Sequence, residues 1–109
     1  EYGVTQKPLP LPLSAFIIAL NEADRIGAAI DSVKDWAAEV IVVDSGSTDG
    51  TQSVAEAHGA RVMFHAWEGY GPQKRFAEDQ CRHPWLFNLD ADEQASGALI
   101  AEVAALFAL

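Results

Sequence analysis

Short apolar runs alternate with amphipathic segments along most of this chain, and this alternation restricts the fold more than any other feature. Residues 13–20 form a nearly continuous apolar run, which is typical of a strand buried on both faces. Three further strands are predicted at residues 39–44, 60–65 and 85–89. Because strands that alternate with helices form parallel sheets with right-handed crossovers, the sequence predicts a three-layer α/β fold.

Helix boundaries are predicted from capping and breaking residues between these strands. Asn21 is expected to cap a first helix, whose apolar positions recur at helical spacing as far as Ala37. Gly59 is expected to end the second helix, and Pro72 suits the first turn of the third. Ser96 is expected to cap a fourth helix. Its predicted apolar face consists of Leu99, Ile100, Val103, Leu106 and Phe107.

The chain divides into two parts by composition. Residues 1–12 contain prolines at alternate positions near their end, which predicts an extended lead-in rather than a helix. Residues 13–109 are expected to form one domain, since the chain of 109 residues allows one modest core.

Charge and cysteine content exclude several classes of protein. The net charge of −9 argues against nucleic acid and anionic membranes as partners. The single Cys81 excludes an internal disulfide and any zinc site built from several cysteines. No apolar run approaches the ~20 residues of a membrane span, and no signal peptide is visible, so a cytoplasmic location is expected.

Polar and acidic residues follow three of the four predicted strands. Asn21 and Glu22 follow the first strand, Asp44 ends the second, and Asp90 and Asp92 follow the fourth. The carboxyl ends of parallel strands share one edge of a sheet, where α/β proteins bind ligands. Two carboxylates ~5 Å apart repel by roughly 3 kcal/mol, and a divalent cation would relieve that repulsion. Oxygen-only ligands favour Mg²⁺, Mn²⁺ or Ca²⁺, and Mg²⁺ is often shared with substrate phosphates.

Other ligand-binding motifs fit less well. A helix–loop–helix calcium site is disfavoured because Ala95 stands where that loop requires glycine. The nucleotide-binding patterns G-x-G-x-x-G and G-x-x-x-x-G-K-[ST] do not occur. Residues 45–50 have the composition of a phosphate loop but also that of a plain turn. Lys74 is either a phosphate contact or a solvated charge, and Trp67 and Tyr70 either pack or contact a sugar ring.

Three segments together resemble family 2 glycosyltransferases. They are residues 16–22 (FIIALNE), 42–51 (VVDSGSTDGT) and 88–93 (NLDADE). The residues in these segments are similar to those of bacterial lipopolysaccharide core β-glycosyltransferases. The resemblance implies the Rossmann-like, nucleotide-binding half of a GT-A domain with strand order 3-2-1-4. It also implies an inverting transfer, assisted by Mn²⁺ or Mg²⁺, from a nucleotide-diphospho-sugar to a glycan or lipid-linked acceptor at the inner face of the bacterial membrane.

The resemblance also implies roles for individual residues. The acid matching Asp44 recognises the nucleobase, usually uracil, and Glu22 lines the nucleoside pocket with the preceding strand end. Asp90 would hold ribose or metal-bound water, while Asp92 would bind the metal directly. The expected nucleotide-sugar site is completed by Ala19, Leu20, Asn21, Gly46, Ser47, Lys74 and Ala91.

The catalytic base and the acceptor-binding half are implied to lie beyond Leu109. Glu93 is the only nearby candidate base, and a role in the loop is the expected one. The chain is therefore expected to bind a donor without turnover. Two alternatives stay open, a sugar-nucleotide nucleotidyltransferase and a non-catalytic nucleotide-binding or interaction module. The apolar fourth strand is expected to form an exposed edge through which copies of the chain could associate.

Overall fold

The structure, a computed structural model, describes residues 10–107. Four strands alternate with four helices along this range. They are β1 (Leu11–Ala19), α1 (Ile26–Asp31), β2 (Ala37–Asp44), α2 (Thr51–Ala57), β3 (Arg61–Phe64), α3 (Tyr70–Gln80), β4 (Trp85–Asn88) and α4 (Gly97–Phe107). Most of the predicted lead-in, residues 1–9, lies outside the described residues.

The four strands form one parallel sheet in the order β3-β2-β1-β4, which confirms the predicted topology. All strands run in the same direction, but the strand order switches sides at β1. The strands β2 and β3 lie on one side of β1, and β4 lies on the other. The strand β1 extends until Ala19 lies opposite Asp44, whereas the last pair between β1 and β4 joins Phe16 and Asn88. Pairing with β4 therefore stops three residues before β1 ends, and the loop after β4 leaves the sheet at that point.

Alternating side chains of the sheet pack into two separate cores, one on each face. The larger core contains Val40 and Val42 of β2 and is covered by α1, α2 and part of α4. The smaller core contains Ile41 and Val43 and is covered by Ala77 of α3. Phe76 and Cys81 also pack there. This two-sided burial makes the sheet the middle of three layers.

The first strand and first helix differ from their predicted boundaries. β1 begins at Leu11 rather than residue 13, and a register shift between Leu11 and Ser14 accommodates an extra residue there. This irregularity suits Pro12, which has no N–H to donate to a neighbouring strand. α1 is shorter than predicted, because Ala37, expected in the helix, starts β2.

A polar network joins the amino-terminal half of the sheet to the α3–β4 connection. Glu39 accepts hydrogen bonds from Ser14 Oγ (2.6 Å), the Arg82 N–H (2.6 Å) and Arg61 Nη2 (3.1 Å). Burial alone raises the pKa of Glu39, but these hydrogen bonds and the charge of Arg61 outweigh it and lower the pKa below its ordinary value. Glu39 thus stabilises the fold as a carboxylate.

The carboxyl-terminal helix covers the sheet only in part. Ser96 Oγ accepts the Leu99 N–H at 3.1 Å, which confirms the predicted cap. Of the predicted face, Leu106 is 68% exposed, and no residue of α4 is fully buried. Trp85 of β4 is 61% exposed and lies edge-on to Phe107. The edge of the sheet is therefore apolar, as expected, while self-association through it stays a prediction. Within residues 10–107, no helix has the length and apolar character to cross a membrane.

Candidate functional site

Hydrogen bonds hold the end of β1 against the loop that follows β2. The N–H of Asn21 donates to Ser47 Oγ (2.8 Å), and Asn21 Oδ1 accepts the N–H of Thr48 (2.9 Å). The next two N–H groups, of residues 22 and 23, donate to Thr51 Oγ1 (2.9 Å) and Asp49 Oδ2 (3.1 Å). These four bonds join the segment after β1 to the segment after β2, and together the two segments form one edge of the candidate site.

Asn21 takes part in this arrangement through its backbone as well as its side chain. Its φ of +54° lies in the left-handed region, which asparagine tolerates better than most residues. The predicted helix cap at Asn21 is wrong, because Arg25 occupies the cap position and the Asn21 side chain bonds Thr48 instead. Asn21 thus ends β1 and orients the next loop.

Asp44 is fully buried at the end of β2, and the protein occupies its carboxylate. Oδ2 accepts hydrogen bonds from the N–H groups of Gly46 (2.9 Å) and Ser47 (2.8 Å) and from Gln52 Nε2 (2.7 Å). Oδ1 accepts the Ser47 hydroxyl. A carboxylate has about four acceptor positions, so little capacity is left for a ligand. In this geometry Asp44 organises the loop, and its expected contact with a nucleobase stays a prediction.

A cleft of about 300 Å³ opens at the carboxyl end of β1. It is lined by Ile18, Ala19, Leu20, Glu22, Ser45 and Trp67. Strand alternation explains why Ser45 rather than Asp44 reaches it. Asp44 continues the row of Val40 and Val42, which face the α1–α2 core, so the next residue points the other way. The cleft is mainly apolar, with polar groups at Glu22 and Ser45.

Glu22 brings a carboxylate to this cleft beside a basic partner. Its Oε1 lies 2.6 Å from Nη2 of Arg25, and its side chain is 21% exposed. Arg25 is largely exposed, so the pair can rearrange at little cost when a ligand enters. Glu22 therefore fits the predicted place in the pocket wall.

Trp67 reaches the cleft from the β3–α3 loop, and a buried glutamine holds that loop. Gln73 of α3 is fully buried, and its Nε2 donates to the carbonyl oxygen of His65 at 3.0 Å. Its Oε1 lies 2.7 Å from Nδ1 of the same histidine, and the His65 N–H donates to the Asp44 carbonyl oxygen at 3.0 Å. The His65 ring stacks on Phe76 with 4.2 Å between centroids. The loop therefore leaves β3 in a defined direction.

The loop after β4 presents carboxylates to solvent. Leu89 and Ala91 are buried in the same core as Phe87, while Asp90 and Asp92 between and beyond them are exposed. Glu93 closes the turn, since its Oε1 accepts the Asp90 N–H (3.0 Å) and its own N–H donates to the Asp90 carbonyl oxygen (2.9 Å). Slight burial and the negative charges of Glu93 and Asp92 raise the pKa of Asp90.

Asp90 and Asp92 fit a divalent cation that is shared with a ligand. Among the described residues, no group of three or more His, Cys, Asp or Glu side chains is placed to hold a metal ion. Mg²⁺ commonly takes one or two carboxylates and completes its shell with water and phosphate oxygens. The pKa of Asp90 is raised first by its slight burial and then by the negative charges of Glu93 and Asp92, and a cation would relieve that repulsion. These two carboxylates would therefore fit a cation whose remaining ligands came from a bound phosphate and from water.

The structure brings most of the predicted site residues to one rim, in different roles. Ala19, Leu20 and Glu22 line the cleft, whereas Asn21, Gly46 and Ser47 belong to the hydrogen-bonded loop. Lys74 lies in the second turn of α3, and Ala91 is buried, so its side chain packs in the core. Sequence reasoning did not place Ile18 and Ser45 in the site. Alternation along β1 and β2 is the signal that could have found them.

Comparison with known proteins agrees with this architecture. The model of the family described as Glycosyl transferase family 2 matches residues 14–108. A lipopolysaccharide core biosynthesis glycosyltransferase, LpsC of Rhizobium meliloti, is 49% identical over 94 residues, covering 82% of this chain and 34% of that protein. A glycosyltransferase of Rickettsia bellii is 54% identical over 96 residues, covering 88% and 33%. The chain thus spans about a third of the length of these relatives.

Solved structures show the same fold. Glucosyl-3-phosphoglycerate synthase from Mycobacterium tuberculosis, in complex with Mn²⁺, uridine diphosphate (UDP) and glucosyl-3-phosphoglycerate, superposes with a TM-score of 0.66 at 30% identity. The match covers 75% of this chain and 35% of the synthase. The sheet order, the motif-bearing rim and the family match over residues 14–108 lead to one conclusion: this chain belongs to glycosyltransferase family 2, with the nucleotide-binding part of a GT-A fold.

Proposed function

We propose that this chain is the donor-binding part of an inverting glycosyltransferase that uses a UDP-sugar and a divalent cation. Support comes from one observation above all, a preformed cleft at the carboxyl end of β1, the strand that pairs with β4, after which the exposed Asp90 and Asp92 follow. The strand order switches sides between β1 and β4, and open α/β sheets bind ligands at the carboxyl ends of the strands at such a switch point. Neighbouring structures of the mycobacterial synthase contain UDP with Mn²⁺ or Mg²⁺.

The two halves of the rim suit the two ends of a nucleotide-diphospho-sugar. The apolar cleft suits the nucleoside, with Ala19, Leu20 and Glu22 as its walls. The β4 loop lies on the other side of β1, about 10 Å from β2 by strand spacing, where the diphosphate would follow. Asp92, with Asp90, would hold Mn²⁺ or Mg²⁺ there, and the metal would offset the charge that builds on the leaving diphosphate. Lys74 is a candidate contact to a phosphate oxygen.

Three groups would act without touching the reacting bond. Asp44 holds the loop of Gly46 and Ser47 in place, and Asn21 fastens that loop to β1. Glu93 closes the turn that presents Asp90, so a role as general base would require it to leave that turn. We therefore propose that Glu93 is not the catalytic base, and that residues 13–109 contribute the binding of the donor.

The proposal for the acceptor rests on the sequence similarity to LpsC. LpsC is named for lipopolysaccharide core biosynthesis, so a glycan or lipid-linked acceptor at the inner face of the bacterial membrane is the proposal for the whole protein. Membership of glycosyltransferase family 2 does not favour the nucleotidyltransferase alternative. A non-catalytic binding module remains distinguishable by assay.

Calorimetric titration with UDP, with Mn²⁺ and with chelator, tests the proposal. We expect Mn²⁺ to tighten UDP binding roughly 5- to 150-fold, a usual range for coupled ligands. Asp92→Ala should remove this dependence without loss of fold, because the side chain is exposed in a loop. Asp79→Ala is the matched control, an exposed acid near the carboxyl end of α3. Absence of UDP binding in the presence of Mn²⁺ would refute the proposal.

A further inference from the structure

We propose that Trp67 forms one wall of a stacking slot for the donor's nucleobase and so determines part of the nucleotide specificity. This inference rests on the proposed function, because it assumes that the cleft at the end of β1 receives a nucleotide. It names a residue whose side chain would contact the ligand ring directly.

The exposure of Trp67 is the first observation. Its side chain is 55% exposed although it lines the cleft. Trp36, in contrast, is buried against Phe87, and Trp85 lies against Phe107. Trp67 belongs to none of the aromatic pairs found among residues 10–107. Trp67 thus lines the cleft and keeps more than half of its surface accessible.

The shape and lining of the cleft are the second observation. Ile18 and Ala19 of β1 provide an apolar wall together with Leu20, which follows the strand, and Trp67 lines the same space. Ser45 and Glu22 are the polar residues of the lining. A flat heterocycle needs this combination, since its faces are apolar and its edge carries donors and acceptors. The volume of about 300 Å³ lies at the lower end of ligand pockets and favours a base with its ribose over a complete nucleotide-sugar.

The anchoring of the loop is the third observation. Gln73 is fully buried and bonds both the carbonyl oxygen and the ring of His65, two residues before Trp67. Gly69, two residues after it, has a φ of +113° and leads into α3. The Gly69 carbonyl oxygen also accepts the Gln73 N–H at 3.2 Å, so the loop is bound on both sides of Trp67. Stacking would therefore cost less ordering than it would in a mobile loop.

The position along the rim distinguishes the base from the sugar. The cleft uses the ends of β1 and β2, whereas the exposed carboxylates that would face a metal-bound diphosphate follow β4, on the other side of β1. A nucleotide-sugar with its diphosphate near β4 has its base on the β1–β2 side. The sugar lies beyond the diphosphate and away from Trp67.

The experiment combines tryptophan fluorescence with calorimetry on the full chain in the presence of Mn²⁺. Trp67→Phe and Trp85→Phe each remove one exposed tryptophan, and Trp85 is the matched control on β4. We expect UDP to change the fluorescence of the wild type and of Trp85→Phe, but not that of Trp67→Phe. Trp67→Ala should weaken UDP binding roughly 5- to 150-fold, the range for loss of base stacking. Trp85→Ala should leave it unchanged.

Further arms separate stacking from a structural effect. Trp67→Phe should recover part of the affinity that Trp67→Ala loses, because a phenyl ring still stacks. Inorganic pyrophosphate with Mn²⁺ has no ring, so it should bind Trp67→Ala and the wild type equally. Weaker binding of pyrophosphate to Trp67→Ala than to the wild type would assign Trp67 a structural role. The same conclusion would follow if circular dichroism showed Trp67→Ala to be unfolded and Trp67→Phe recovered no UDP affinity.

Two other results would overturn the inference in different ways. Equal UDP affinity in the wild type and Trp67→Ala would reject stacking and leave the proposed function intact. A fluorescence change with UDP-glucose but not with UDP would place Trp67 against the sugar. Failure of the wild type to bind UDP at all would instead reject the proposed function, and the inference with it.

Discussion

The loops after β2 and β4 carry similar acidic sequences but use their carboxylates in opposite ways. After β2, Asp44 is buried and accepts hydrogen bonds from four protein groups, and Asp49 accepts bonds from Thr51 and Ala23. After β4, Asp90 and Asp92 are exposed. The hydrogen bonds from Thr51 lead the causes that lower the pKa of Asp49, whereas burial and neighbouring acids raise the pKa of Asp90.

This difference separates carboxylates that stabilise the structure from carboxylates that are free to bind a ligand. A carboxylate whose acceptor positions are filled by the protein shapes a loop but has little left for a ligand. A carboxylate that repels its neighbours gains when a cation arrives. The β2 loop therefore preorganises the cleft, and the β4 loop keeps its charges available. Acidic residues at the same edge of the sheet therefore need not share one role.

Neutralising Asp44 should have the largest effect on stability. Asp44→Asn replaces an acceptor oxygen with an NH₂ group that faces donors, so roughly 2–3 kcal/mol of unfolding free energy should be lost. The control is Asp90→Asn, which removes a repelled, exposed charge and should change stability by less than ~0.5 kcal/mol. Urea unfolding of both variants measures this contrast. Equal losses in the two variants would contradict the division between the loops.

Glu39 tests whether a hydrogen-bonded carboxylate far from the rim behaves as Asp44 does. Glu39→Gln should cost about 1–2 kcal/mol, because it weakens bonds from Ser14, Arg61 and Arg82. The pKa of Glu39 is lowered in the folded state, so its stabilisation is present above its ordinary value of 4.5 and is lost as pH falls through the lower, folded value. The stability difference between wild type and variant should shrink in that range. A difference that stays constant with pH would assign the effect to packing.

Asn21 should give a smaller effect that can be divided between backbone and side chain. Asn21→Gly keeps the left-handed φ of +54° available and loses only the bond to Thr48, at a cost of about 1 kcal/mol. Asn21→Ala adds backbone strain and should be ~1 kcal/mol worse. Thermal unfolding of the two variants checks the order. If Asn21→Ala is as stable as Asn21→Gly, the backbone conformation does not constrain this position.

Much of the fold could be predicted because it depends on local patterns. The apolar run of β1 and the β-branched run of β2 are recognisable alone, and Ser96 has the sequence context of a cap. Side-chain direction at strand ends was harder to predict. Asp44 and Ser45 are adjacent acceptors that alternation points in opposite directions, and the packing of α2, whose Gln52 binds Asp44, distinguishes the buried side from the cleft side. Local sequence predicts a helix cap at Asn21 and misses its partner Thr48, which lies 27 residues away.

Paramagnetic NMR tests most directly the central claim that a metal–nucleotide complex lies across β1 with its metal end at the β4 loop. Backbone amide signals would be compared with UDP and Mn²⁺, and with UDP and diamagnetic Mg²⁺ as the reference. The account predicts the strongest broadening at residues 90–93, weaker broadening at residues 45–48, and none at Arg61 or Arg82 near Glu39. Strongest broadening at the Glu39 end of the sheet, or no site-specific broadening, would contradict it.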